Sequence, residues 1–290
     1  MKVEQLSKNI NGKSVLNDIN FDVSPGTITG LIGRNGAGKT TLLRTIVGIY
    51  HPSSGDVAIN GKSVYTHPEV KQKLFFVPDS SDALKNYSTA ELIRLYQRVY
   101  PDFDAAYLHS CMERFALPQV KRISHYSKGM KALFSLFVAF ATKADYILLD
   151  EPTDGLDVIV KKQVQQLLLE QVSENGTSVI ISSHRLDELE YMAENMLVIR
   201  DGCLDDHYEL SDLKNRYKKI QAAFSDQIPE ELENKASILS QTGRVYTLLM
   251  DNESFTSLDE IKKYQPLLLE ELPLSLEDVF VAKFGGDPYV

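Results

Sequence analysis

The chain has 290 residues, 43% of them hydrophobic and 24% charged, an ordinary composition for a soluble globular protein of one or two domains. The formal net charge of −9 argues against nucleic acid as a partner held by a broad basic face. Two cysteines, Cys111 and Cys203, make neither a disulfide framework nor a metal-ligand spacing. The most apolar run, 132–141, is far shorter than the ~20 residues that span a bilayer, so we expect any membrane role to come through a partner chain.

Short apolar runs alternate with helical patterns, which predicts a largely parallel sheet covered by helices. Before residue 80, strands are predicted at 15–23, 27–32, 56–60 and 74–77, with a helix from about 39 to 47. From about 80 to 143 the pattern is helical, and strands resume at 146–149, 178–182 and 196–200. Beyond residue 211, strands are predicted at 220–224, 237–240 and 245–250, and helices at 257–264 and 275–284. The predicted fold class is therefore α/β, with an inserted helical segment and a small C-terminal α/β appendage.

A glycine-rich loop at 33–40 reads Gly-Arg-Asn-Gly-Ala-Gly-Lys-Thr and matches G-x-x-x-x-G-K-[ST] in full. Glycines let backbone N–H groups converge on phosphate oxygens, and the helix that follows favours anions at its N-terminus. Lys39 would neutralise the charge of the β- and γ-phosphates, and the Thr40 hydroxyl would ligate Mg²⁺. The predicted phosphate contacts are Gly33, Asn35, Gly36, Ala37, Gly38, Lys39, Thr40 and Thr41. By itself the motif does not separate kinases, GTPases and ATPases.

Two acids, Asp150 and Glu151, directly follow the predicted buried strand 146–149. An acid at the carboxyl end of such a strand points into the phosphate crevice. Asp150 would hold Mg²⁺ through water, and Glu151 would orient and deprotonate the attacking water. Paired acids are also common at solvated strand ends, but in combination with the phosphate loop these two predict triphosphate hydrolysis.

Three further segments resemble motifs of the ATP-binding cassette (ABC) ATPases, and the resemblance covers roughly 1–207. Residues 126–130 resemble the family's signature, 150–157 its Walker B motif and D-loop, and 182–184 its switch histidine. The resemblance implies a P-loop NTPase fold with Mg²⁺-ATP as substrate. Its expected parts are a RecA-like nucleotide-binding core at 1–79 and 144–207, a helical signature subdomain at 80–143 and a C-terminal accessory domain at 212–290.

The same resemblance implies that two cassettes close head to tail around ATP. The signature residues Ser127, Lys128, Gly129 and Met130 would then contact ATP held by the partner cassette. His184 would contact the γ-phosphate and the attacking water as a second catalytic residue, and the D-loop Asp157 would reach the partner's phosphate loop. The partner cassette is either a second copy of this chain or a different ABC ATPase.

Several positions depart from the family pattern. Ile10 stands where an adenine-stacking aromatic residue is usual, so it offers only an apolar adenine contact and leaves base selectivity open. Asp79 replaces the glutamine of the Q-loop and is a further candidate Mg²⁺ ligand, although it can also be read as a loop acid. Lys128 and Met130 replace a glycine and a glutamine of the signature, a variant that resembles ABC-2-type exporters.

That exporter class implies a transmembrane permease as partner, a location on the cytoplasmic face of the cell membrane, and amphipathic or antimicrobial peptides as cargo. Cassette ATPases of translation usually carry two phosphate loops and those of DNA repair carry long coiled coils, and this sequence has one loop and no such heptads. Residues 273–280 resemble a tail pattern of the exporter class, and Ser275 also reads as the N-cap of a helix.

Overall fold

The computed structural model describes residues 1–80, 84–252 and 258–284. Contacts divide these residues into two compact units. The first unit consists of Met1–His184 and Met192–His207, and the second of Arg185–Tyr191 with the described residues from Tyr208 onward. Mixed sheets and helices make up both units, so the predicted α/β class is confirmed. The finer division of the first unit into a nucleotide-binding core and a helical subdomain stays a prediction.

The first unit contains these helices and strands, given in chain order. They are β1 (Lys2–Ile10), β2 (Lys13–Asp22), β3 (Ile28–Ile32), α1 (Lys39–Ile46), β4 (Ser54–Ile59), β5 (Lys62–Ser63), β6 (Leu74–Val77), α2 (Thr89–Val99), α3 (Ala105–Arg114), α4 (Lys128–Ala141), β7 (Tyr146–Asp150), α5 (Val158–Asn175), β8 (Ser178–Ser183), β9 (Asn195–Arg200) and β10 (Cys203–Glu209). The last two residues of β10, Tyr208 and Glu209, are assigned to the second unit. Short 3₁₀ segments lie at Pro68–Lys73 and Ile123–His125.

The central sheet has the strand order β10-β9-β3-β8-β7-β6. From β9 to β6 the neighbouring strands are parallel, so their carboxyl ends meet at one edge of the sheet. Every residue of β3, β7 and β8 is buried. Strands covered on both faces read as continuous apolar runs, which is why the sequence predicted all three. The edge at which they end positions the functional residues.

A second sheet of the first unit has the order β2-β1-β4-β5 and is antiparallel in its described pairs. The sequence did not predict β1. Only Val3 and Leu6 of that strand are fully buried, and charged side chains such as Lys2 and Glu4 interrupt its apolar pattern. The two-residue strand β5 was also missed.

Helices α2, α3 and α4 fill the segment between β6 and β7, and no strand occurs among its described residues. A capping box begins α2, where Ser88 and Glu91 satisfy each other's backbone N–H groups. The apolar run 132–141 forms the buried part of α4, as predicted, with Leu136 and Phe137 fully enclosed. None of the described helices combines the length and apolarity required to cross a membrane.

The second unit contains α6 (Leu186–Glu190), α7 (Leu210–Arg216), β11 (Tyr217–Ala223), α8 (Glu230–Glu233), β12 (Ala236–Thr242), β13 (Val245–Asp251), α9 (Leu258–Lys262), β14 (Leu268–Leu272) and α10 (Leu276–Phe284). Its sheet has the order β12-β13-β11-β14, and the adjacent strands are antiparallel. Ile220, Leu248 and Leu232 lie at the centre of its core. Ser275 accepts a hydrogen bond from the Asp278 N–H at the start of α10, which agrees with its reading as an N-cap.

Candidate functional site

The phosphate loop connects β3 to α1 at the carboxyl edge of the central sheet. Gly36 and Gly38 have positive φ angles of 85° and 112°, which residues with a side chain rarely adopt. A Cβ at Gly33 would lie 2.4 Å from the carbonyl oxygen of Ile199. The backbone therefore needs glycine at these positions, and it forms the kind of concave turn that cradles phosphate. The loop residues Asn35 and Ala37 and the α1 residue Thr41 lie at or beside this turn.

Lys39, the first residue of α1, is buried with 5% of its side chain exposed. Its Nζ donates a hydrogen bond to the carbonyl oxygen of Gly33 at 2.6 Å and lies 3.2 Å from Oε1 of Glu151. A buried ammonium group needs such an anionic partner. Glu151 is thus paired with Lys39, the cation that the sequence motif predicts will bind the phosphates.

Asp150 lies at the end of β7 and is fully buried. Its Oδ1 accepts hydrogen bonds from the Thr40 hydroxyl at 3.1 Å and from the Ser182 hydroxyl at 2.8 Å. Its Oδ2 is buried without a hydrogen-bond partner among the described residues. Burial raises the pKa of the Asp150 carboxyl, and the negative charges of Asp79 and Glu151 raise it further. An unsatisfied carboxylate oxygen beside a hydroxyl is a ligand set that suits a hard cation such as Mg²⁺.

Glu151 follows with a left-handed backbone, at φ 46°, and its N–H donates to the Ser182 hydroxyl at 3.0 Å. The Glu151 Oε2 atom lies 3.0 Å from Nδ1 of His184. Its carboxylate therefore joins Lys39 on one side to His184 on the other. A strained backbone at such a position is typical of a functional residue. The remaining histidines (His51, His67, His109, His125 and His207) are exposed.

The signature segment lies at the start of α4. Ser127 is its N-cap and accepts a hydrogen bond from the Met130 N–H at 3.2 Å. A Cβ at Gly129 would lie 3.1 Å from Val160 of α5, so this position favours glycine. Lys128 Nζ lies 3.4 Å from Oδ2 of Asp154.

The D-loop residue Asp157 is the N-cap of α5, where its Oδ1 accepts from the N–H groups of Ile159 and Val160 at 3.0 Å. Since this carboxylate already serves a helix end, a contact across a partner interface stays a prediction. Val158 and Ile159 are among the most exposed large hydrophobic side chains, at 68% and 72%. An apolar pair of this kind beside the D-loop fits a surface that another protein covers.

The predicted Q-loop and adenine residues take no part in the hydrogen bonds described above. Asp79 follows β6 and is exposed, and it acts on Asp150 through its charge rather than through a hydrogen bond. A cavity of about 340 Å³ lies among Asp79, Lys128 and Glu151.

Ile10 ends β1, is partly exposed and pairs with Lys13 of β2. Metal ligation by Asp79 and adenine contact by Ile10 both stay predictions.

Sequence reasoning assigned no role to two residues of this site. Ser182 holds Asp150 and the Glu151 backbone, and it does so because β8 lies directly beside β7. Asp154 brings its carboxylate within 4.8 Å of ligand atoms of Glu151 and His184. The signal for Ser182 was its place at the end of a buried strand, but the order of the strands in the sheet was needed to interpret it.

Comparisons with known proteins show which family the chain resembles. A family model described as "ABC transporter" matches residues 16–154. The chain is 38% identical over 287 residues to the ABC transporter ATP-binding protein YtrB of Bacillus subtilis, covering 99% of this chain and 98% of that protein. It is 28% identical to the bacitracin transport ATP-binding protein BcrA of Bacillus licheniformis, covering 99% and 97%. A solved ATP-binding subunit of an ABC transporter superposes with a TM-score of 0.66 at 27% identity, covering 74% of this chain and 91% of that one.

Proposed function

This chain belongs to the family of ABC transporter ATP-binding proteins, and on that premise we propose that it drives export of amphipathic or antimicrobial peptides through a separate permease. As a member of this P-loop NTPase family, it binds ATP with Mg²⁺, hydrolyses ATP and works with a membrane component. Export and the peptide cargo are the proposed part. A relative whose name states bacitracin transport supports a peptide cargo. The variant signature supports the ABC-2-type exporter class and a resemblance to the ATPase subunit of a phenol-soluble modulin exporter.

The observation that carries the assignment of the site is the placement of Glu151 between Lys39 and His184, at 3.2 Å and 3.0 Å. We assign the phosphates to the glycine turn and Lys39, and Mg²⁺ to Asp150 and Thr40, with Asp79 as a further candidate ligand. Bound Mg²⁺ would neutralise phosphate charge during transfer. Within the described part of the chain, Asp150 offers an oxygen that has no hydrogen-bond partner and is free to bind such a cation.

Glu151 is the proposed general base. Once phosphate occupies Lys39, the Glu151 carboxylate is released from that cation and can accept a proton from the attacking water. His184, held by its Nδ1 contact to Glu151, is proposed to orient that water and to sense the γ-phosphate. The Ser182 hydroxyl fixes the Glu151 backbone, so the base is positioned by the sheet rather than by a free loop.

The proposed working unit is two cassettes, either two copies of this chain or this chain with a different ABC ATPase. Ser127, Lys128, Gly129 and Met130 would then face ATP held by the other cassette. Because α4 begins at this segment, its N-terminus would aim a partial positive charge at that ATP. Because the catalytic residues are divided between two cassettes, they act only after the cassettes close. Closure would thereby couple ATP binding to movement of the permease. The proposed location is the cytoplasmic face of the cell membrane, reached through the permease.

Two experiments test the proposal. The mass of purified Glu151→Gln chain is measured with and without Mg²⁺-ATP, and doubling with ATP is expected of a homodimer. A chain that binds ATP and stays monomeric contradicts a self-sufficient homodimer and directs attention to a second cassette or the permease.

For the cargo, cells that produce the chain with its co-purifying permease are exposed to bacitracin or an amphipathic peptide. Protection that Glu151→Gln abolishes supports export, and equal sensitivity of both strains contradicts it.

A further inference from the structure

The first turn of α4 carries two lysines, Lys128 and Lys131, and no acidic residue. A helix N-terminus carries a partial positive charge, so cations are unfavourable there and anions are favourable. Lys128 also stands at the position where the signature usually has glycine. A sequence that departs from a local rule at a functional site indicates that something else compensates. The compensating group for Lys128 would be an anion.

The chain itself supplies one such anion. Lys128 Nζ lies 3.4 Å from Oδ2 of Asp154, and the two side chains are 58% and 55% exposed. The ammonium also lies against the loop backbone, since a Cβ at Gly155 would come within 2.6 Å of Nζ. An ion pair this exposed is weak, because solvent and salt screen it. A more highly charged anion would therefore displace Asp154 from Lys128.

Asp154 also lies beside the hydrolytic residues of its own chain. Its carboxylate is within 4.8 Å of ligand atoms of Glu151 and His184. Glu151 is already paired with Lys39 and with His184. The pair between Lys128 and Asp154 thus connects the signature segment of a cassette to the acids at that same cassette's own catalytic site.

We propose that Lys128 exchanges between two anions, Asp154 of its own chain before closure and the triphosphate held by a second copy of this chain after closure. This inference rests on the two-cassette site proposed above. A triphosphate carries more negative charge than one carboxylate, and closure removes water from the contact, so the exchange favours the closed state. Asp154 is then a positioning residue that holds the signature lysine in place until ATP is bound opposite it.

The test measures the protein concentration at which half of the Glu151→Gln chain is dimeric in Mg²⁺-ATP, by analytical ultracentrifugation. Adding Asp154→Asn is expected to lower this midpoint about fivefold, because two weak pairs per dimer no longer oppose closure. Adding Lys128→Gln is expected to raise it about tenfold, while Lys128→Arg keeps the charge and stays within about threefold. Lys162→Gln, which removes an exposed lysine of α5, is the matched control and is expected to leave the midpoint unchanged.

Swapping the charges of Lys128 and Asp154 distinguishes the proposed contact with triphosphate from a purely structural role of the ion pair. Lys128→Asp with Asp154→Lys restores an ion pair within the chain but sets an acid against the opposing triphosphate. The proposal expects ATP-dependent dimers to be lost, whereas recovery to the parent midpoint overturns it. A parent that dimerises while Asp154→Asn lowers the midpoint by less than about twofold overturns the inference alone. A parent that binds ATP yet stays monomeric at every concentration overturns the composite homodimer and the inference together.

Discussion

Replacing Glu151 with glutamine is expected to change hydrolysis and ATP binding in opposite directions. The Glu151 carboxylate is the proposed base, and in the structure it is also the anion that occupies Lys39 at 3.2 Å. Glutamine has nearly the same shape but neither accepts a proton from water nor carries a charge. One substitution therefore removes the base and, at the same time, removes the group with which ATP competes for Lys39.

The contact distance sets the scale of the second effect. At 3.2 Å, Coulomb's law gives about 1.3 kcal/mol in water and about 5 kcal/mol at an effective dielectric constant of 20. Lys39 is nearly buried and Glu151 is 22% exposed, so desolvation offsets much of the larger value. We expect a net gain of about 1 kcal/mol, which lowers the ATP dissociation constant about fivefold. Loss of the base is expected to lower kcat about 10²-fold or more.

Phosphate release under saturating ATP gives kcat, and titration calorimetry with Mg²⁺-ATP gives the dissociation constant. The titration is made below the protein concentration at which dimers form, so that closure does not add to the affinity. Glu174→Gln, which alters an exposed acid of α5, is the control for loss of a charge. Unchanged turnover would remove Glu151 from the role of base. A dissociation constant equal to or above that of the native chain would refute competition at Lys39.

Three further outcomes are expected. Because burial raises the pKa of Asp150, its ionised form opposes folding. Asp150→Asn should therefore raise the melting temperature of the nucleotide-free chain at neutral pH by about 2–4 °C, the shift that about 1 kcal/mol gives. The gain should vanish as the pH falls towards the ordinary pKa of an aspartate, and a pH-independent gain would contradict the stated cause. Asp79→Gln should leave the ATPase activity of the isolated chain largely intact, and a large loss would place Asp79 in the Mg²⁺ shell. Gly33→Ala should abolish ATP binding in a titration, because its Cβ would clash with the Ile199 carbonyl, and normal affinity would show that the loop can relax.

The parts of the fold that the sequence predicts are those with a strong local pattern. The buried strands β3, β7 and β8 are built around short apolar runs, and the glycines between β3 and α1 mark the turn directly. Strands β1, β10 and β14 were missed because polar and charged residues interrupt their apolar positions. The helix predicted from residue 257 begins at the edge of the described residues, where α9 starts at Leu258.

The candidate site likewise contains residues that local motifs predict and contacts that only the folded structure shows. Lys39, Asp150 and Glu151 could be named from motifs, because each follows a recognisable strand or turn. The Ser182 contact to Asp150 depends on the adjacency of β7 and β8. The Asp154 contact to Lys128 joins a loop to the first turn of α4, and the two residues are 26 positions apart in the chain. No local pattern encodes such adjacency. The catalytic roles of these residues stay predictions until the variants are measured.

The left-handed backbone at Glu151 bears on how this chain would respond to selection. At φ 46° the residue occupies a region that glycine and asparagine adopt more readily than glutamate. Substitutions that relax the strain also remove the carboxylate between Lys39 and His184. Relaxing the backbone favours folding, whereas leaving the buried Lys39 ammonium without its anionic partner opposes folding, so thermal stability and the proposed base are coupled at this single position.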